Sequence, residues 1–262
     1  MKQELVKPIV RVGNSAGVLL PKEWLNGQAK IILVENPLNV QSDSLKILSP
    51  YLEDIIGIYL VGSYARDEQT PRSDIDIIAI TKSINKHIKK GKYDIILIEI
   101  EALKNSLKEN ALPILPMLKE AKPLMNASAL DEYKKAEITS KNLRFHIETT
   151  QSSLNVIKQT IELAELEDSK ISGNLVYSLI LRLREVYIID SLIKQEIPST
   201  KGIIKLIRKL TGSVNSYDIY LNVKNGKTEK RSIDINEAKI IYNYISDKLS
   251  KQIKWIKGKE SR

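Results

Sequence analysis

Gly62-Ser63-Tyr64-Ala65-Arg66 is followed by Ser73-Asp74-Ile75-Asp76, and then by Tyr93-Asp94-Ile95. Before the first stretch lies Gly57-Ile58-Tyr59-Leu60-Val61, a short apolar run that predicts a buried strand. A strand ending in Gly-Ser lets the backbone approach an anion closely, because glycine has no Cβ in the way. A helix opening there adds free N–H groups and the positive end of its dipole, and the Ser63 hydroxyl adds a donor. Asp74 and Asp76 are one residue apart in a run over 73–80 that predicts a second strand. Period-two geometry puts both carboxylates on one face. Carboxylates that close repel each other unless a cation lies between them. Oxygen-seeking Mg²⁺ suits them, bridged to substrate phosphates.

Asp94 opens a third predicted strand over 92–100, with Ile96 and Ile98 on its own face. If that strand pairs beside 73–80, Asp94 completes a three-carboxylate cluster. Two metal ions about 4 Å apart could then clamp attacking and leaving oxygens. Glu99 and Glu101 are rival third carboxylates. They fall on the opposite strand face from Asp94, where solvent-facing or helix-capping positions are the simpler reading.

Gly62-Ser63-x-x-Arg66 followed by Ser73-Asp74-Ile75-Asp76 resembles the signature of the nucleotidyltransferase superfamily with the DNA polymerase beta fold. The likeness is to its small prokaryotic members and to aminoglycoside nucleotidyltransferases. Lys92-Tyr93-Asp94-Ile95 resembles the family's third-carboxylate strand, and the resemblance spans about residues 45–125. It implies transfer of a nucleoside monophosphate from a nucleoside triphosphate to an acceptor, usually a hydroxyl, with release of pyrophosphate. It implies Asp74, Asp76 and Asp94 as catalytic ligands of two Mg²⁺ ions, with Asp94 on the acceptor side helping to deprotonate it. Gly62 and Ser63, with Ser73, would hold the triphosphate. Arg66 is either a phosphate clamp, to which a guanidinium is suited, or a structural ion pair. Lys201, in Pro198-Ser199-Thr200-Lys201, resembles a triphosphate-binding lysine of some family helical domains; the alternative is an exposed first-turn lysine. Many small members have glycine after the arginine, where this chain has Asp67. An inward carboxylate there would oppose phosphate binding. The acceptor is left open between a small molecule, RNA and a protein.

The N-terminal stretch Arg11-Val12-Gly13-Asn14-Ser15-Ala16-Gly17-Val18-Leu19-Leu20-Pro21-Lys22-Glu23-Trp24-Leu25 resembles the AbrB-like swapped-hairpin fold of bacterial and archaeal regulators. Short strands are expected over 7–12, 17–20 and 29–35, with a brief helix opening at Pro21 and Asn36-Pro37 closing the unit. So few residues cannot hold a core alone, which calls for a second copy, a homodimer, or docking on the next domain. The resemblance makes Lys7 and Arg11 candidate DNA contacts.

The whole sequence thus predicts an α+β chain in three parts. Residues 1–40 form a small β-rich unit for dimerisation or DNA binding. Residues 41–126 form a mixed α/β nucleotidyltransferase core. Residues 127–262 form a mostly helical domain with one β-hairpin, expected over 219–235 around Asn225-Gly226. Net charge is +9, and 24 basic against 17 acidic residues place most of the excess after residue 126. A basic surface concentrates polyanions; solvated helix faces explain the lysines equally well. With no Cys and two His, thiolate sites, disulfides and a three-His zinc centre are excluded. Neither an apolar signal core nor a run long enough to span a membrane is found, so a cytoplasmic protein without membrane contact is expected. The alternative to the enzyme is a DNA-binding regulator, or an antitoxin-like protein, with a vestigial transferase fold.

Overall fold

The computed structural model describes residues 4–33, 38–71 and 73–260. The chain divides into two compact units, Met1–Asn39 and Val40–Arg262. In the first, β1 (Ile9–Val12) and β2 (Ser15–Val18) pair as an antiparallel hairpin, Ile9 opposite Val18 and Val12 opposite Ser15. Gly13 turns it at φ +58, a left-handed conformation that glycine enters without steric cost. Lys22–Trp24 forms one 3-10 turn after Pro21. The strand expected over 29–35 is not formed over 29–33, and its last two residues, with Asn36-Pro37, lie outside the described residues.

The second unit contains a five-stranded sheet in the order β5-β6-β4-β3-β7. Its strands are β3 (Ile55–Val61), β4 (Ile75–Thr81), β5 (Lys86–Lys90), β6 (Tyr93–Glu99) and β7 (Lys122–Met125). β4 and β6 run parallel, and the other pairs are antiparallel. β3 and β4 are almost continuously apolar and rich in Ile because both faces are covered. One face packs against Leu48 of α1 (Val40–Leu48), and α1 gives way to a 3-10 turn at Pro50. The other face packs against Leu103 of α3 (Ile100–Glu109), Leu118 of α4 (Leu115–Glu120) and Leu130 of α5 (Ala127–Lys134). The short helix α2 (Gly62–Ala65) leaves the end of β3.

Helices dominate beyond α5: α6 (Ser140–Leu166), α7 (Gly173–Ile193), α8 (Thr200–Thr211), α9 (Asn215–Lys224) and α10 (Ile235–Glu260). Their core includes Ile157 and Ile161 of α6, Leu179 and Leu183 of α7, Ile207 of α8 and Ile241 of α10. Ser199 caps α8 by accepting the Gly202 N–H at 2.9 Å, and Gly212 ends it at φ +73. The hairpin expected over 219–235 is corrected. Ile219–Val223 lies within α9, and β9 (Ser232–Ile233) pairs with β8 (Ile171–Ser172) instead. Its residues favour strands by propensity, but Tyr217, Ile219 and Tyr220 are all buried. That is a helical stripe, and burial overrides propensity. No helix among the described residues is long and apolar enough to cross a membrane.

Asn142 fastens the start of α6. Its Oδ1 accepts the Thr139 N–H at 2.7 Å, and its Nδ2 donates to Leu107 O of α3 at 2.9 Å and Glu137 O at 3.0 Å. The residue is 2% exposed. Asn142→Ala removes these three bonds from a buried position, so thermal or urea unfolding should register a loss of about 1–3 kcal/mol. An unchanged midpoint would show that water replaces the amide without cost.

Candidate active site

The parallel pairing of β4 and β6 sets Asp76 directly beside Asp94. Both point to the sheet face that carries Ile78 and Ile98, because side chains alternate along each strand. Asp76 also lies opposite Val61, the last residue of β3. A Cβ on Gly62 would stand 2.2 Å from Asp76 Oδ2, and Gly62 adopts φ +70. The glycine thus makes room for the carboxylate as well as for the turn. Asp74 falls outside the strand expected to carry it: β4 begins at Ile75, and Asp74 is an exposed residue of the preceding loop. Burial, then the charges of Asp94, Asp74 and Glu120, push Asp76 up to about 6, against the opposing pull of Arg66.

β5 was not anticipated from sequence, since a Lys-rich run reads as a solvated turn. It places His87 and Lys89 on the Asp94 carboxylate. His87 Nε2 hydrogen-bonds Asp94 Oδ1, and Lys89 Nζ lies 3.1 Å from Oδ2. Burial tends to raise the Asp94 carboxyl, but these two hydrogen bonds outweigh it and hold it below the usual carboxylate range. Glu99 sits at the far end of β6 opposite Thr81, engaged with Asn85. Glu101 pairs with Lys104 at 2.7 Å on α3. Neither rival shares the face or the strand end of Asp94.

A second unforeseen residue is Glu120, at the end of α4. One oxygen accepts the Gly62 N–H at 2.7 Å, and the other pairs with Arg66. Burial raises the Glu120 carboxyl, offset in part by Arg66 and the Gly62 N–H. Arg66 also holds Glu68 at 2.9 Å, and its Nη2 lies 3.5 Å from Thr200 Oγ1 at the start of α8. Arg66 is therefore an ion-pair hub beside the turn. The adjacent Lys201 is exposed. Ser63 lies half-buried in α2, its carbonyl accepting the Glu68 N–H at 2.8 Å. The Ser73 hydroxyl accepts the Thr70 N–H at 2.9 Å, bracing the loop before β4. Asp67 takes φ +55, which explains a glycine preference there, and its side chain points out to Lys122 at 2.8 Å.

Arg11 Nε donates to Gly13 O at 2.9 Å, bracing its own hairpin, and Lys7 is exposed ahead of β1.

The oxygen-rich set around Asp76 suits a hard cation by its chemistry. The upward shift of Asp76 reflects the crowding of acids that a cation would relieve. As the side chains stand, no group of three or more His, Asp or Glu among the described residues forms a metal cage. Asp94 would have to exchange His87 or Lys89 to join one.

Residues 42–181 match the model of the nucleotidyltransferase domain family. Two solved structures are similar over most of the chain. One is a nucleotidyltransferase-like protein from Exiguobacterium sibiricum 255-15, at 14% identity and TM-score 0.40, covering 82% of this chain and 76% of that one. The other is the spectinomycin adenyltransferase AAD(9) from Enterococcus faecialis, solved with ATP and spectinomycin, at 16% identity and TM-score 0.41, covering 80% and 98%. A sequence search of curated proteins finds no match.

The shift of Asp76 has a stability consequence. Its carboxyl moves from an ordinary 3.8 to about 6 in the folded state. Between those values the folded state binds more protons than the unfolded one, so stability falls as pH rises through the window. Asp76→Asn removes that loss. With divalent ions chelated, its melting temperature should equal the wild type's near pH 4 and exceed it increasingly towards pH 7. A variant less stable across the whole range would refute the repulsion.

Proposed function

Because the chain belongs to the nucleotidyltransferase domain family and is a nucleotidyltransferase enzyme, we propose that it moves a nucleoside monophosphate from a nucleoside triphosphate to an acceptor hydroxyl in a Mg²⁺-dependent reaction. The observation that carries this reading is the in-register placement of Asp76 beside Asp94, under the turn at Gly62. Asp74 and Asp76 would hold the metal, with Asp94 as the acceptor-side ligand. When bound, Mg²⁺ supplies positive charge to the triphosphate and to the crowded acids.

The chain's own residues do the rest. Gly62 and Ser63 admit the phosphates to the turn, with Arg66 and Lys201 as flanking cations and Ser73 holding the loop. Asp94 orients the acceptor hydroxyl and takes its proton. The acceptor oxygen attacks the α-phosphorus in line. Its new O–P bond forms as the bond to pyrophosphate breaks, and the pyrophosphate carries off that electron pair. Catalysis of this kind is chiefly positioning and charge compensation.

The first unit favours a second reading for its own part. Val6 is 79% exposed, Leu19 69% and Leu25 70%. A two-stranded hairpin with such a surface is marginal alone. A second copy of the chain would cover these residues and make a homodimer, leaving Lys7 and the remaining edge of Arg11 as the DNA-facing cations. Removal of residues 1–39 should halve the mass seen by light scattering; a monomeric full-length protein would end this reading.

Incubation with α-labelled nucleoside triphosphates and cell lysate tests the reaction itself. Asp94→Ala should cut label transfer at least about a hundredfold, with the affinity for Mg²⁺·nucleotide little changed. Glu99→Ala, on the other face, should be nearly silent. The reverse pattern would move the acceptor-side carboxylate to Glu99.

A further inference from the structure

β7 begins at Lys122, which lies opposite Leu60 of β3 in an antiparallel pair. Continuing that register by two residues sets Glu120 opposite Gly62, just where β3 ends. The pairing that orders the sheet therefore brings a carboxylate to the turn. Leu115 and Leu118 bury α4 on one side of Glu120. On the other, Ala121 O accepts a hydrogen bond from Lys134 Nζ at 2.9 Å. Glu120 itself is only 9% exposed.

Its two oxygens have different partners. Oε1 accepts the Gly62 N–H at 2.7 Å, and Oε2 pairs with Arg66 Nη1. Gly62 has φ +70 and no side chain, so its peptide is the one in the turn most free to rotate. The bond to Oε1 fixes it. Arg66 is held along a second edge by Glu68, 2.9 Å from Nε. With Nε and Nη1 both engaged, the plane of the guanidinium is set, because the group is rigid and flat.

A carboxylate is an unfavourable group to keep in this place. It adds to the negative charge that pushes Asp76 upward, and burial raises its own carboxyl. A glutamine amide could accept the Gly62 N–H without either effect. An amide could not hold a guanidinium with the strength of a charge-assisted bond. The charge at 120 is explained by Arg66, and the one side chain couples that cation to the turn.

We propose, resting on the nucleotidyltransferase reading, that Glu120 is a positioning residue for the triphosphate: one buried carboxylate holds the Gly62 turn and the Arg66 guanidinium in a fixed relation, so that both meet the phosphates already oriented. Glu120 itself touches no phosphate. Donors ordered beforehand reduce the entropy lost on binding. The opposite role is that of a competitor, an anion that occupies the donors and must leave before a triphosphate enters. Removing a positioning residue weakens binding, whereas removing a competitor tightens it.

The test is calorimetric titration of the full-length protein with Mg²⁺·pyrophosphate and with each Mg²⁺·nucleoside triphosphate, well below the melting temperature. Glu120→Ala should weaken both kinds of ligand at least about tenfold, the effect of one hydrogen bond to a charged group. Glu120→Gln keeps the Gly62 acceptor and should fall between that variant and wild type. Asn142→Ala, which loosens α6 without touching the turn, should lower the melting temperature yet bind both ligands as wild type does. Tighter binding by either Glu120 variant would overturn the proposal in favour of competition. Unchanged binding, or equal weakening in Asn142→Ala, would reduce Glu120 to a structural ion pair. If Glu120→Ala does not fold, Glu120→Gln decides by the same signs. A wild type that binds neither pyrophosphate nor any nucleoside triphosphate would instead remove the nucleotidyltransferase reading itself.

Discussion

A half-buried carboxylate with acids on three sides is unfavourable, and the catalytic half of this chain is arranged around keeping Asp76 in that position. β4 is covered on both faces and pinned between β3 and β6, so a one-residue slip would exchange the Ile75 and Ile77 face for the Ile78 and Ile80 face and turn Asp76 into the apolar core under α1. The same register fixes Asp76 opposite Val61 and beside Asp94. Apolar burial in the strands thus holds the acids together against their repulsion. Gly62 completes the arrangement by omission, because any side chain there would displace the Asp76 oxygen.

The charges that balance this cluster come from separate directions. Arg66 and Glu120 form one pair behind the turn, tying α2 to α4, and Thr200 brings the start of α8 to the same guanidinium. His87 and Lys89 approach Asp94 from the sheet edge. The two sets have different consequences. Arg66 and Glu120 are both poorly exposed and leave an uncompensated charge if either is removed. His87 and Lys89 are largely solvated, with 55% and 68% of their side chains exposed. Water can replace them at small cost, so Asp94 is the carboxylate freest to change partners.

Those differences also explain what the sequence could and could not disclose. Asp76 and Asp94 were legible because period two is rigid: once 73–80 and 92–100 are strands, residue type and parity assign the faces. Gly62 was legible as a special position, though for phosphate approach rather than for the space it gives Asp76. Glu120 was not, because nothing local marks a glutamate in a short helix as the partner of a turn 58 residues earlier. β5 was hidden by its lysines, residues depleted in strands; it forms because Ile88 and the edge of β6 offer a ladder. The segment over 219–223 failed in the opposite sense. Its Ile, Tyr, Leu and Val favour a strand locally, but Tyr220 stacks on Tyr177 at 5.4 Å and buries α9 against α7.

Charge placement follows a related logic. Acids buried at the end of a sheet can only be offset by cations that reach them, and the sheet leaves two approaches. On the inner side, the end of α2 and α4 bring a fixed and enclosed pair. On the edge, the chain supplies lysines in excess of what Asp94 can engage, and the surplus faces solvent. A structural counter-charge requires no surplus. The inner approach, with Arg66 shared among Glu68, Glu120 and Thr200, shows how closely such a role is matched when structure alone sets it. The unmatched lysines of the edge answer to a different constraint: Lys90 lies in register with Tyr93, on the sheet face away from Asp94, and with Lys92 in the turn beyond it keeps the edge strand charged against pairing with another chain.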